Sequence, residues 1–175
     1  NLLDKHLNTE EPIYIVEVGC FEGRSTVWFA DYLQHPESRM FCIDSWKGGE
    51  EIERTKLPYN METVINNFFA NKNEHQYCNK ISTHVASSEY GLMTLLSSHY
   101  KMIDFIYLDG SHTQKDTLVD LTLAMLLVRP GGMILIDDYN NTMATTNKLL
   151  RPKDAVDFVV KTFDNQVEFF LTPEQ

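Results

Sequence analysis

The chain has no apolar run approaching the roughly 18 residues needed to span a bilayer. Nor does it have a basic excess: 15 Lys and Arg face 25 Asp and Glu, a formal net charge of −10. That balance argues against nucleic acid as a partner, because affinity for a polyphosphate rests on cations that neutralise it. A small neutral or cationic ligand meets no such barrier. Cysteine is scarce: Cys20, Cys42 and Cys78 are odd in number and form no CxxC pair. They read as reduced, buried thiols of a cytoplasmic protein. The first residues carry neither the basic stretch nor the apolar core of a signal peptide. Internal repeats, low-complexity tracts and a second domain are also missing. The 175 residues therefore read as one domain, long enough to bury about 70% of the unfolded chain's surface around a single core.

One phrase recurs along the chain: a short apolar run rich in β-branched residues, a polar or glycine turn, then a segment of helical periodicity. This is the pattern of a parallel α/β sheet. Strands are expected over 13–18, 40–44, 81–85, 103–108 and 133–136, with 167–171 as a sixth. Helical faces are expected from Thr26, Phe29, Ala30 and Leu33, from Met61, Val64, Ile65 and Phe68, and from Leu92, Leu95 and Leu96. Two more come from Leu118, Leu121, Met125 and Val128, and from Ala155, Val156, Val159, Val160 and Phe163. The polar stretch 47–59 reads as a long loop, either a lid or part of an acceptor site. Right-handed crossovers favour an open, doubly wound sheet, whose ligands bind beyond the carboxyl ends of the strands.

Those ends carry the informative residues. After the first strand comes Glu17-x-Gly19-x-x-x-Gly23, with Cys20 and Phe21 inside the turn and Ser25 and Thr26 opening a helix. Glycine permits positive φ and a close ligand, although a plain strand-to-helix turn uses the same residues. Asp44 ends the second strand at a spacing close to the roughly 20 residues at which an acid reaches a nucleotide ribose. It can equally cap the turn made with Ser45 and Trp46, and Trp46 suits the core as well.

The ExGxxxG turn, the following Asp44 and the Arg129-Pro130-Gly131-Gly132 before the fifth strand resemble the class I S-adenosylmethionine (SAM)-dependent methyltransferases. The resemblance covers residues 13–163 and implies a Rossmann-like, doubly wound α/β fold. It implies that Gly19 and Gly23 pass the methionine end of SAM, that Glu17 helps hold its amino group and that Asp44 binds the ribose. Ala86 and Ser87, after the third strand, fall where that family contacts adenine; a plain loop is the other reading.

The fourth strand ends in Asp109-Gly110-Ser111-His112 and the fifth in Asp137-Asp138-Tyr139. Neighbouring strands lie about 4.8 Å apart, so Asp109, Asp137 and Asp138 can share one hard cation at ~2.0–2.6 Å, Mg²⁺ being the natural choice. The two consecutive acids can also simply cap their turn. The constellation is similar to the metal-dependent O-methyltransferases of the catechol and macrolide-sugar types. Asp138 stands where the catechol type has Asn, and His112 stands where it has a lysine base. Histidine as a residue type can accept a proton near neutral pH, so His112 can serve as a base there, or can cap the helix that follows.

Two features depart from the family pattern. Only one strand, 167–171, follows the last helix where a hairpin is usual, and few residues precede the first strand. The expectation is a single domain over 1–175, truncated at either end or completed by a partner in a homo-oligomer. The expected acceptor is a small molecule, a sugar hydroxyl ahead of a catechol. The rival readings are a metal-independent N- or carboxyl-methyltransferase, and a noncatalytic SAM- or nucleotide-binding module.

Overall fold

The structure is a computed structural model that describes residues 2–48, 59–140 and 152–171. The elements in chain order are α1 (Leu2–His6), β1 (Tyr14–Val18), α2 (Arg24–Ala30), β2 (Arg39–Asp44) and α3 (Met61–Glu74). There follow β3 (Ile81–Val85), α4 (Ser88–His99), β4 (Ile103–Leu108), α5 (Gln114–Leu127), β5 (Val128–Ile136) and α6 (Pro152–Thr162). The five strands form one sheet in the order β3-β2-β1-β4-β5, and every pairing is parallel. The order reverses between β1 and β4, so the loops after these two strands open onto one crevice.

The sheet lies between two helical layers. On one face α1, α2 and α3 bury Leu3, Leu7, Phe29, Leu33, Val64 and Phe68 against Ile15, Met40 and Phe105. On the other, α4, α5 and α6 bury Leu92, Leu95, Leu121, Ala124, Val156 and Val159 against Val16, Ile43 and Ile106. A strand covered on both faces needs apolar side chains in both directions, and for that reason β1 and β4 read as nearly continuous apolar runs. Local chemistry fixes where the helices start. The Asn60 carboxamide accepts from the Glu62 and Thr63 amides, the Ser87 hydroxyl from Tyr90 and the Thr113 hydroxyl from Asp116. Among the described residues no helix is long and apolar enough to cross a membrane.

Four expectations need correction. Residues 167–171 pair with no strand, so the described sheet has five. β5 begins at Val128 rather than 133: Ile103 faces Val128 and Phe105 faces Met133, so Arg129, Pro130 and the two glycines form an irregularity inside the strand. The Arg129 Nε anchors that irregularity on Asp104 Oδ1 at 2.6 Å. The buried face of α5 runs through Thr117, Asp120, Leu121, Ala124 and Leu127; Leu118 and Met125 are only partly covered. Cys20 and Cys42 are buried free thiols, whereas Cys78 is half-buried. Most of the proposed lid at 47–59 lies outside the described residues.

Candidate functional site

The β1–α2 turn is shaped by two glycines, Gly19 and Gly23, both at φ +84°. At Gly19 a Cβ would stand 1.9 Å from the Asp109 carbonyl oxygen, so the loops after β1 and β4 touch there backbone to backbone. No other residue type fits. The Gly23 amide closes the turn on the Cys20 carbonyl at 2.7 Å.

Glu17 ends up beneath this turn. It is completely buried; its Oε1 accepts from the Ser25 hydroxyl and its Oε2 from the Thr26 hydroxyl, each at 2.5 Å. Burial raises its carboxyl to about 7, against the opposing effect of those hydroxyls. Glu17, Ser25 and Thr26 therefore form one internal unit that ties the strand end to the start of α2.

Asp44 braces the same turn from the next strand. Its Oδ2 accepts from the Cys20 amide at 2.8 Å and the Phe21 amide at 3.0 Å, and its Oδ1 accepts from the Trp46 amide at 2.7 Å. Carboxylate oxygens each offer two lone pairs, so this bracing leaves capacity for a hydroxyl donor. Trp46 is a core residue: it is buried, rests on Phe68 at 4.8 Å between ring centres, and donates from Nε1 to the Phe21 carbonyl at 2.8 Å. Phe21 is 40% exposed and meets Tyr59 edge to face, leaving an aromatic rim on the crevice. Ser45 is half-buried, and its hydroxyl accepts from the Lys47 amide. On the neighbouring strand end the Ala86 amide donates to the Asp44 carbonyl at 3.0 Å, and exposed Ser87 caps α4.

At the ends of β4 and β5 the acids divide. One ligand atom each from Asp109, His112 and Asp138 lies within 4.8 Å of the others, and His112 Nε2 stands 3.4 Å from Asp138 Oδ2. Asp137 faces differently: its Oδ2 accepts from the Tyr107 hydroxyl at 2.5 Å and its Oδ1 from the Asp138 amide at 2.8 Å. The expected trio of Asp109, Asp137 and Asp138 is thus regrouped, with His112 brought into the tight cluster and Asp137 beside it. Asp138 has φ +53°, a left-handed conformation that only Asn, Asp and Gly adopt with ease.

The electrostatics follow. Burial first, then the charge of Asp137, pushes the Asp109 carboxyl up to about 7, while the Tyr107 hydroxyl pulls the other way. Burial and the neighbouring Asp137 raise the Tyr107 phenol in turn, so it stays a donor. A bound cation would reverse this logic by favouring the carboxylates. Sequence reading passed over Tyr107, although residues two apart on a strand share a face, which puts it under Asp109. Asp120 is buried on a face of α5 that the apolar stripe does not mark, and no local pattern in the sequence signals it.

A family model described as a methyltransferase domain matches residues 16–139, from β1 to just past β5. No curated protein matches the sequence. Solved structures do. The O-methyltransferase TomG from Streptomyces achromogenes, involved in tomaymycin synthesis and bound to SAM, has a TM-score of 0.67 at 18% identity, covering 95% of this chain and 66% of its own. CalS11, a TDP-rhamnose 3'-O-methyltransferase of calicheamicin biosynthesis, has a TM-score of 0.66 at 17% identity, covering 99% and 73%. An O-methyltransferase from Bacillus cereus in complex with SAH has a TM-score of 0.62 at 19% identity, covering 87% and 62%. The chain thus spans just under two thirds of TomG and of the Bacillus cereus enzyme. With the family match running through the braced glycine turn and the acids after β4 and β5, the chain belongs to the methyltransferase-domain family.

Proposed function

We propose that this domain transfers the methyl group of SAM to a hydroxyl of a small-molecule acceptor with the help of a divalent cation. The observation that carries the reading is the convergence of Asp109, His112 and Asp138 within 4.8 Å beside the turn braced by Asp44. The carboxylates of Asp109 and Asp138 would hold a divalent cation such as Mg²⁺ or Mn²⁺ through oxygen, Asp137 adds a further oxygen close by, and the His112 imidazole beside them is kept for proton transfer. SAM would supply an electrophilic methyl group, and a cation held by these acids would lower the pKa of an acceptor hydroxyl.

The protein's own share is positioning and proton handling. The Gly19–Asp109 backbone contact fixes the two loops relative to each other, so cofactor and acceptor sides keep one geometry. Asp44 keeps an accepting oxygen toward a ribose. His112 accepts the acceptor's proton at Nε2, and Asp138 stabilises the imidazolium that results. Phe21 and Tyr59 form an exposed aromatic rim against which a ligand could pack. A sugar hydroxyl is the favoured acceptor; the likeness to a TDP-rhamnose methyltransferase supports that class.

Calorimetric titration with SAM, with Mg²⁺ or EDTA present, tests the reading, followed by a screen of sugar and phenolic acceptors. SAM binding, EDTA-sensitive turnover and a His112→Ala loss of roughly 10²–10⁴ in kcat are expected. Turnover indifferent to EDTA would remove the cation from the mechanism, and absence of SAM binding would remove the whole reading.

A further inference from the structure

Asp120 projects from α5 toward the loop that follows β4. It is 4% exposed, yet its Oδ1 has no hydrogen-bond partner. Burial raises its carboxyl to about 6, with Ser88 opposing, so at neutral pH the group is still largely ionised. A buried, ionised oxygen without a donor is strongly unfavourable, so the fold must provide one.

The room for it is present. Asp120 shares with Ser111, His112 and Asp137 a small internal space of about one water molecule. The loop passes close to the carboxylate: a Cβ on Gly110 would lie at ordinary contact distance, 3.8 Å, from Asp120 Oδ2 and tightly, at 3.1 Å, against Val18 Cγ1. A water in this space has polar partners on both sides, the carboxylate on α5 and the loop opposite.

We propose that Asp120 is a positioning residue: one ordered water donates to its Oδ1 and ties it to the 110–112 loop, so that α5 fixes the segment presenting Asp109 and His112. The tie itself is independent of the methyl-transfer reading; its effect on rate rests on that reading. The water would add to the direct contacts that already hold this segment, the Ser111 hydroxyl on Asp116 of α5 and the Asp109 amide on the Val18 carbonyl.

The test combines an atomic-resolution crystal structure of the wild type with hydrogen exchange and kinetics of Asp120→Ala and Asp120→Asn. Expected are a water within hydrogen-bond distance of Oδ1 and roughly tenfold faster exchange of amides 109–113 in Asp120→Ala, with β1 unchanged. Asp120→Asn should restore most of that protection. In Asp120→Ala, kcat should fall roughly 10–100-fold with the KM for SAM unaltered. A dry cavity, unaltered exchange at 109–113, or faster exchange spread equally over β1 and β4 would overturn the proposal. If the wild type methylates no acceptor, the proposed function fails, while the water and the exchange pattern still decide the role of Asp120.

Discussion

The Tyr107 hydroxyl donates to Asp137 Oδ2 at 2.5 Å and stands 3.2 Å from Asp109 Oδ2, so a phenol on β4 holds the first of the two consecutive acids on β5. Asp138, freed from that contact, turns to His112. The two neighbours in sequence therefore play different parts, and titration of Mn²⁺ into variants reads the difference. Asp109→Asn and Asp138→Ala should each weaken binding roughly 10–100-fold, the usual loss when a site loses a ligand or its support. Asp137→Asn should weaken it less than threefold, about 0.6 kcal/mol. Equal losses in all three would place Asp137 among the ligands.

Gly19→Ala asks whether the contact between the two loops can be relaxed. Its Cβ would lie 1.9 Å from a backbone oxygen, and its φ of +84° disfavours any side chain. SAM affinity should fall by at least about tenfold and the melting temperature by several degrees, from about 1–3 kcal/mol of backbone strain. Wild-type affinity in this variant would mean that the turn is not the cofactor seat.

Asp44→Asn and Asp44→Ala separate bracing from ligand contact. Asn retains one acceptor oxygen, whereas Ala leaves the Cys20, Phe21 and Trp46 amides without their partner. Both should weaken SAM binding; Ala should also lower stability by about 1–3 kcal/mol, and Asn by less, since its NH2 can no longer accept from one of the two sides. Thermal unfolding with and without SAM supplies both numbers.

Glu17 makes stability depend on pH in a direction opposite to that of an ordinary paired acid. Its folded carboxyl sits at about 7 against 4.5 unfolded, so the native state binds the proton more tightly. The stabilisation is complete below pH 4.5 and is lost as pH rises through the folded value near 7. Chemical denaturation of wild type and Glu17→Gln across pH 4–8 should show the wild type losing on the order of 3 kcal/mol relative to the variant. A constant difference would show that the folded carboxyl titrates where the unfolded one does.

How much of this was legible beforehand depends on the range of the forces involved. Strand β4, the glycine turn and the stop after α5 follow from neighbours in sequence: side-chain alternation, positive φ and the missing proline N–H act within a few residues. The order of Asp44, Asp109 and Asp137 along the chain likewise placed them at strand ends, since parallel strands joined by crossovers bring their carboxyl ends to one side. Those features were fixed by the sequence alone, together with the family it resembles.

Tertiary structure decided the rest. That Glu17 faces Ser25 and Thr26 beneath the turn depends on which side of β1 is covered by α2. The division of labour between Asp137 and Asp138 depends on a phenol from the next strand. The burial of Asp120 depends on how α5 rotates against α4 and α6, where packing overrode the simple apolar stripe. Each is a question of side-chain direction set by contacts distant in sequence, and a pattern of residue types carries no record of that direction.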